Sequence, residues 1–251
     1  MTRVGLGIDI GGSGVKGALV DLDAGVFIGD RVRIETPKPA TPKAVAKTAR
    51  MVADALRAPA DVPVGVAMPA PMRDGVISFM ANLDQKWVGK HARKVFEKYM
   101  DTAVVVLNDA DAAGVAEDAF GAASEAEGTV IVTTLGTGIG SALIYNGVLV
   151  PNTELGHLEL DGHDAESEAA ASQRVAQGLT WEEWAKRLER YYRHVAMLFS
   201  PNLIVIGGGV SKNHAKFLPL IDVPNTRLVP AELFNTAGIV GAAVYAANTL
   251  A

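Results

Sequence analysis

Hydrophobic residues along this chain recur in two rhythms. Short runs rich in Val, Ile and Gly predict strands at Val4 to Ile10, Val15 to Val20, Val26 to Ile34, Pro63 to Ala67, Gly75 to Phe79 and Ala103 to Leu107. Thr129 to Thr134, Ser141 to Tyr145, Val148 to Val150 and Leu203 to Ile206 continue the series. Other segments keep helical spacing. Val45, Ala49, Val52 and Leu56 form one stripe, and Lys90 to Met100 reads as an amphipathic helix. The longest helix starts at Thr180, which has capping-box spacing with Glu183, and ends at Ser200-Pro201. Its stripe of Trp181, Trp184, Leu188, Tyr191, Val195 and Leu198 reads as core or subunit contact. Ala237 to Leu250 is a small-residue helix expected to pack back on the first half.

The order of these elements repeats. Strand, Gly-rich turn, strand, turn, strand occurs once through Gly11-Gly12-Ser13-Gly14 and again through Leu135-Gly-Thr-Gly-Ile-Gly140, with Asn146-Gly147 as a hairpin turn. A duplicated unit predicts two phosphate-facing turns across a shared cleft. Between them, Ala103 to Leu107 reads as a fully buried central strand that delivers Asn108-Asp109 at its carboxyl end, where α/β sheets bind ligands. A carboxylate there is placed to take a proton from a bound hydroxyl, and capping of the following helix is the competing role.

Composition narrows the classes. The 251 residues carry 20% charged and 49% hydrophobic side chains, an ordinary globular balance. A net charge of -5 argues against a nucleic-acid surface. No cysteine is present, so disulfides, thiolate metal sites and cysteine nucleophiles are ruled out. The start lacks the sections of a signal peptide, which makes a cytoplasmic location the expectation. The uncharged stretch from Thr129 up to Glu154 is long enough to span a bilayer, but its glycines, Asn146-Gly147 and Pro151 suit strands and turns instead; no membrane association is expected.

Asp9, Gly11, Gly12, Ser13 and Lys16 put a carboxylate, bare backbone N–H groups and an ammonium in one turn, suited to phosphate oxygens and a hydrated Mg2+. Thr134, Gly136, Thr137 and Gly138 offer a second such turn, and Gly207-Gly208-Gly209 with Lys212 a third. The dinucleotide fingerprint and the G-x-x-x-x-G-K-[ST] loop are both missing. From Glu154 to Glu166, five carboxylates and two imidazoles crowd together in a pattern that fits hydroxyl recognition better than a metal; Asp161 and Asp164 read as solvated salt-bridge residues. Together these features describe phosphoryl transfer to a sugar, with Asp109 deprotonating the acceptor hydroxyl.

Asp9-Ile-Gly-Gly-Ser13, Asn108-Asp109, Leu135 to Gly140, Glu154-Leu-Gly-His157 and Ile206 to Ser211 resemble, in order, the ROK family of sugar kinases. Ala81 to Trp87, Val150 to His157, Asp161 to Glu166 and Ala237 to Ala242 resemble the polyphosphate glucokinases and glucomannokinases within it. The resemblance implies an α/β, actin-like (ribonuclease H-like) fold in two lobes, 1–109 plus 237–251 and 110–236, with the sugar between them. It implies transfer from polyphosphate, and from ATP as well, to the 6-hydroxyl of glucose and also of mannose. Asp109 would be the base, while Asn82, Asn108, Glu154, His157 and Glu166, or its neighbour Glu168, bind the hexose. Mg2+ would ride on the donor, no structural zinc is expected without the family's cysteine-rich motif, and the enzyme would be a homodimer. Lys16, Lys86, Lys90, Arg93 and Lys212 are candidates for a polyanion track. The alternatives are a hexokinase using ATP alone and a non-catalytic sugar sensor.

Overall fold

In the computed structural model, which describes residues 2–250, the chain divides into two compact units, 2–116 with 236–250 and 117–235. The first unit opens with β1 (Val4–Ile10), β2 (Gly14–Asp21) and β3 (Val26–Glu35), an antiparallel meander. Helix α1 (Pro42–Ala55) and strand β4 (Val64–Met68) follow, then the two-residue strands β5 (Met72–Arg73) and β6 (Val76–Ile77). Helix α2 (Ala92–Met100), β7 (Val104–Asn108) and α3 (Asp109–Phe120) complete the run, the last of these crossing into the second unit. The sheet order is β3-β2-β1-β4-β7, with β1, β4 and β7 parallel.

The second unit repeats this plan. β8 (Thr129–Leu135), β9 (Ile139–Tyr145) and β10 (Val148–Val150) form the meander, and β11 (Glu159–Leu160) pairs with β12 (His163–Asp164) in a miniature hairpin. Helices α4 (Ala165–Ala169), α5 (Ala171–Ala176) and α6 (Trp181–Phe199) lead to β13 (Leu203–Gly207) and β14 (Arg227–Pro230). The order β10-β9-β8-β13-β14, with β8, β13 and β14 parallel, matches the first sheet strand for strand.

Alternation along β1 and β4 explains how the first unit is layered. Leu6, Ile8, Ile10, Val64, Val66 and Met68 join one core cluster with Val45, Ala49 and Val52 of α1 and Phe96 of α2. The intervening positions are Gly5, Gly7, Gly65 and Ala67, and onto this bare face packs α7 (Ala237–Leu250). The contact is backbone on backbone: a Cβ at Gly7 would lie 1.9 Å from the Ile239 carbonyl oxygen, and one at Gly65 1.8 Å from that of Ala242. In the second unit Trp184, Leu188, Tyr191 and Val195 of α6 pack with Ile131, Ile204 and Ile206.

Two expectations are corrected. β7 is the edge strand of its sheet, paired with β4 alone, and its apolar character reflects the helices α2 and α7 packed on it, not a central position. Leu198 is 51% exposed; with about 100° between successive residues the stripe continues from Val195 to Phe199, which joins the core of α6 in its place. Among the described residues, no helix is long and apolar enough to cross a membrane.

Candidate functional site

In the first unit the carboxyl ends of the parallel strands gather one group of candidates. Asp9 lies in register with Ala67 on β4, and Asn108 on β7 with Met68, so both stand at the same end of the sheet. Asp9 follows Gly5 and Gly7 on the face that α7 covers, and the first turn of that helix reaches it: a Cβ at Gly238 would lie 3.4 Å from the Asp9 Cγ. A helix N-terminus favours a carboxylate there. The Lys16 ammonium, opposite Asp9 on β2, is 3.4 Å from Asp9 Oδ2.

The turn between β1 and β2 is braced from outside. The Gly11 N–H donates to the Gly14 carbonyl at 3.0 Å, Thr36 Oγ1 donates to the Gly11 carbonyl, and Arg33 donates to the Ser13 carbonyl at 2.9 Å. Gly12 and Ser13 remain exposed, and Asn82 comes up beside Gly12, whose Cβ position is 3.4 Å from the Asn82 carbonyl.

Asn108 and Asp109 have different surroundings. Buried Asn108 accepts from the Ala110 N–H at 2.7 Å and the Asp111 N–H at 3.4 Å, so the capping role falls to its side chain. Asp109 is exposed in the first turn of α3, with Oδ1 2.9 Å from the Ala110 N–H.

In the second unit the two Gly-rich turns are neighbours. Thr134 is in register with Gly207 across β8 and β13, and Gly208, at φ +82°, sits against the backbone of Leu135 so closely that a Cβ would lie 2.4 Å from its carbonyl oxygen. Gly136 and Gly138 close the turn by a 3.0 Å backbone bond, and Ser172 braces it through the carbonyls of Gly136 and Thr137. Glu166 reaches this turn directly: its Oε2 accepts from the Ile139 N–H at 2.9 Å and lies where a Gly138 side chain would be. Glu168 instead pairs with Arg187 at 2.8 Å, so it is Glu166 that faces the turn. Lys212 is exposed on the helical turn Ser211–Lys216 that follows Gly209.

Glu154 and His157 lie on a strap tied to β9. Buried Ser141 donates to the Thr153 carbonyl at 2.7 Å and accepts from the Leu155 N–H at 2.9 Å, and Gly156 backs onto the Ile139 carbonyl. Burial pushes the Glu154 carboxyl up from the usual glutamate range, opposed by His157 and assisted by the charge of Glu166. Nδ1 of His157 is 2.8 Å from Asp164 Oδ2, and this hydrogen bond raises the imidazole pKa, with partial burial opposing it. One ligand atom from each of His157, Asp164 and Glu166 lies within 4.8 Å of the others, a spacing a cation could bridge. Those groups already hold one another and the Ile139 N–H.

Ser141 and Asp164 are the participants that sequence reasoning did not find. Ser141 sits in an apolar strand with no spacing to flag it. The pairing of Asp164 with His157 depends on the β11–β12 hairpin, which is too short to announce itself; Asp161 does behave as expected, pairing with Arg190 at 2.6 Å.

Comparison with known proteins identifies the family and the fold. A family model described as the ROK family matches residues 5–170. Polyphosphate glucokinase of Mycobacterium tuberculosis (strain H37Rv) is 47% identical over 243 residues, covering 96% of this chain and 91% of the relative. The crystal structure of the inorganic polyphosphate/ATP-glucomannokinase from Arthrobacter sp. strain KM superposes with a TM-score of 0.90 at 48% identity, covering 98% and 99% of the two chains. A ROK glucokinase from Streptomyces griseus, solved with glucose and AMPPNP, shares the fold at a TM-score of 0.81 and 23% identity, with coverage of 98% and 99%.

Proposed function

The chain belongs to the ROK family, with its actin-like α/β fold, and from that membership we propose that it transfers a phosphoryl group from inorganic polyphosphate, or from ATP, to the 6-hydroxyl of glucose. Mannose is the second acceptor in this reading. The observation that carries it is the 47% identity, over 96% of the chain, to a polyphosphate glucokinase.

Each group then has a task. Asp109, exposed at the start of α3, takes the proton of the acceptor hydroxyl. Asn82, Asn108, Glu154, His157 and Glu166 hold the other hydroxyls as acceptors and donors. The exposed backbone N–H groups at Gly12 and Ser13, and those around Thr134, Thr137, Gly138 and Gly208, receive the donor phosphates with Lys16 and Lys212, while Gly11 and Gly136 shape their turns by donating to the Gly14 and Gly138 carbonyls. Asp9 supplies a carboxylate at a strand end, and one or two such groups suit Mg2+ bound mainly by water and substrate phosphates. Mg2+ on those phosphates offsets charge on the transferred group. The same reading makes the protein a homodimer, for which exposed Val148 and Val150 on β10 supply an apolar edge strand.

The test compares donors. Purified protein with Mg2+ and glucose is expected to form hexose 6-phosphate from nucleotide-free polyphosphate and from ATP. Product from ATP alone would move it to the ordinary hexokinases, and glucose binding without product from either would favour a sugar sensor.

A further inference from the structure

Glu154, His157 and Glu166 fall to the hexose on the reading above, whereas Asp164, exposed and on a two-residue strand, has been given no part. Its position is nevertheless built with care. Asp161 and Gly162, at φ +55° and +82°, turn the chain back within two residues, and this returns Asp164 to a place opposite Glu159 and beside His157. The Ala165 N–H donates to the Leu158 carbonyl at 2.9 Å, Ser167 Oγ donates to the Asp164 carbonyl at 2.6 Å, and Arg190 anchors the hairpin tip through Asp161. Both carboxylate oxygens of Asp164 are then used: Oδ2 lies 2.8 Å from His157 Nδ1, and Oδ1 accepts from the Glu166 N–H at 3.2 Å as the cap of α4.

We propose that Asp164 is a positioning residue for the hexose site: it fixes the proton of His157 on Nδ1, offers Nε2 to a sugar hydroxyl, and sets the first turn of the helix carrying Glu166. The inference rests on the reading of the protein as a hexose kinase. A carboxylate can only accept, so a ring nitrogen held at 2.8 Å must be the donor. The pair's value lies in this geometry. With side chains 49% and 45% exposed, its contribution to stability is small.

Asp164→Ser separates the two roles, because serine also caps a helix but is too short to hold the imidazole. The variant is expected to keep its melting temperature and its KM for polyphosphate, and to raise KM for glucose about tenfold with kcat changed much less. In a His157→Asn background the same substitution is expected to change KM no further. Nitrogen-15 NMR of the histidines is expected to show His157 protonated on Nδ1 in the wild type and a mixture of tautomers in the variant. Should the serine variant not fold, Asp164→Asn gives the same comparison, since asparagine caps a helix as well as aspartate does and, with its oxygen on the Glu166 N–H, turns a donor and not an acceptor toward Nδ1. An unchanged KM for glucose, or an equal rise with and without His157, would overturn the proposal. If the wild type phosphorylates no hexose, the kinase reading has failed on its own. The NMR measurement then decides alone, and a wild-type His157 protonated on Nε2 rejects the role given to Asp164.

Discussion

Asn108 and Asp109 are adjacent in sequence and opposite in environment, and that contrast makes the base assignment testable. Asn108 is buried and spends its side-chain oxygen on the first N–H groups of α3, while Asp109 is exposed one residue later. Asp109→Asn keeps the shape and removes the proton acceptor. Turnover is expected to fall by about a thousandfold or more, with glucose binding by calorimetry retained; near-normal turnover would refute the assignment. Glu154 gives a second test at this scale. Its carboxyl is raised above the usual 4.5, so on acidification it gains a proton, and stops accepting from a hydroxyl, at a higher pH than an ordinary glutamate. KM for glucose is therefore expected to rise as pH falls through a value above 4.5, and Glu154→Gln to remove that limb of the profile. The strand-end position of Asn108 and Asp109 was readable from where the apolar run stops. Asp164 was not, because His157 is seven positions away and only a folded hairpin joins them.

At the scale of elements, the seating of α7 controls where Asp9 stands. The alternation Gly5-Leu6-Gly7-Ile8 on β1 and Gly65-Val66-Ala67 on β4 leaves one face of the sheet with no side chain larger than a methyl at these positions, and α7 lies backbone to backbone against it. Its own Gly241 approaches α3 in the same way, with the Ala112 carbonyl oxygen 1.7 Å from the Cβ position. Gly65→Ala forces a methyl into the Ala242 carbonyl and is expected to cost about 3 kcal/mol or more by chemical denaturation. The helix itself was legible as a small-residue stretch, and so was its return to the first half. The glycines that receive it were not, since a glycine in a strand equally signals a bulge or a weak strand. Placing Ala103 to Leu107 at the sheet centre failed for a related reason: an apolar run reports burial on both faces, which an edge strand under helices also has.

For the whole molecule, duplication was the most legible property. Two meanders, each extended by two parallel strands in the same order, follow from one repeated pattern of runs and Gly-rich turns. The long α6, with the Thr180–Glu183 capping box in place, was equally plain from local signals. Contacts such as that of buried Glu117, whose carboxylate accepts from the N–H groups of Glu232 and Leu233, were invisible because they join segments more than a hundred residues apart. The reaction proposed for this fold is transfer, not mere cleavage, of a phosphoryl group. Phosphorus-31 NMR of the protein with Mg2+, glucose and nucleotide-free polyphosphate tests it most directly. A growing glucose 6-phosphate resonance with little inorganic phosphate is expected. Inorganic phosphate alone, or an unchanged spectrum, would contradict it.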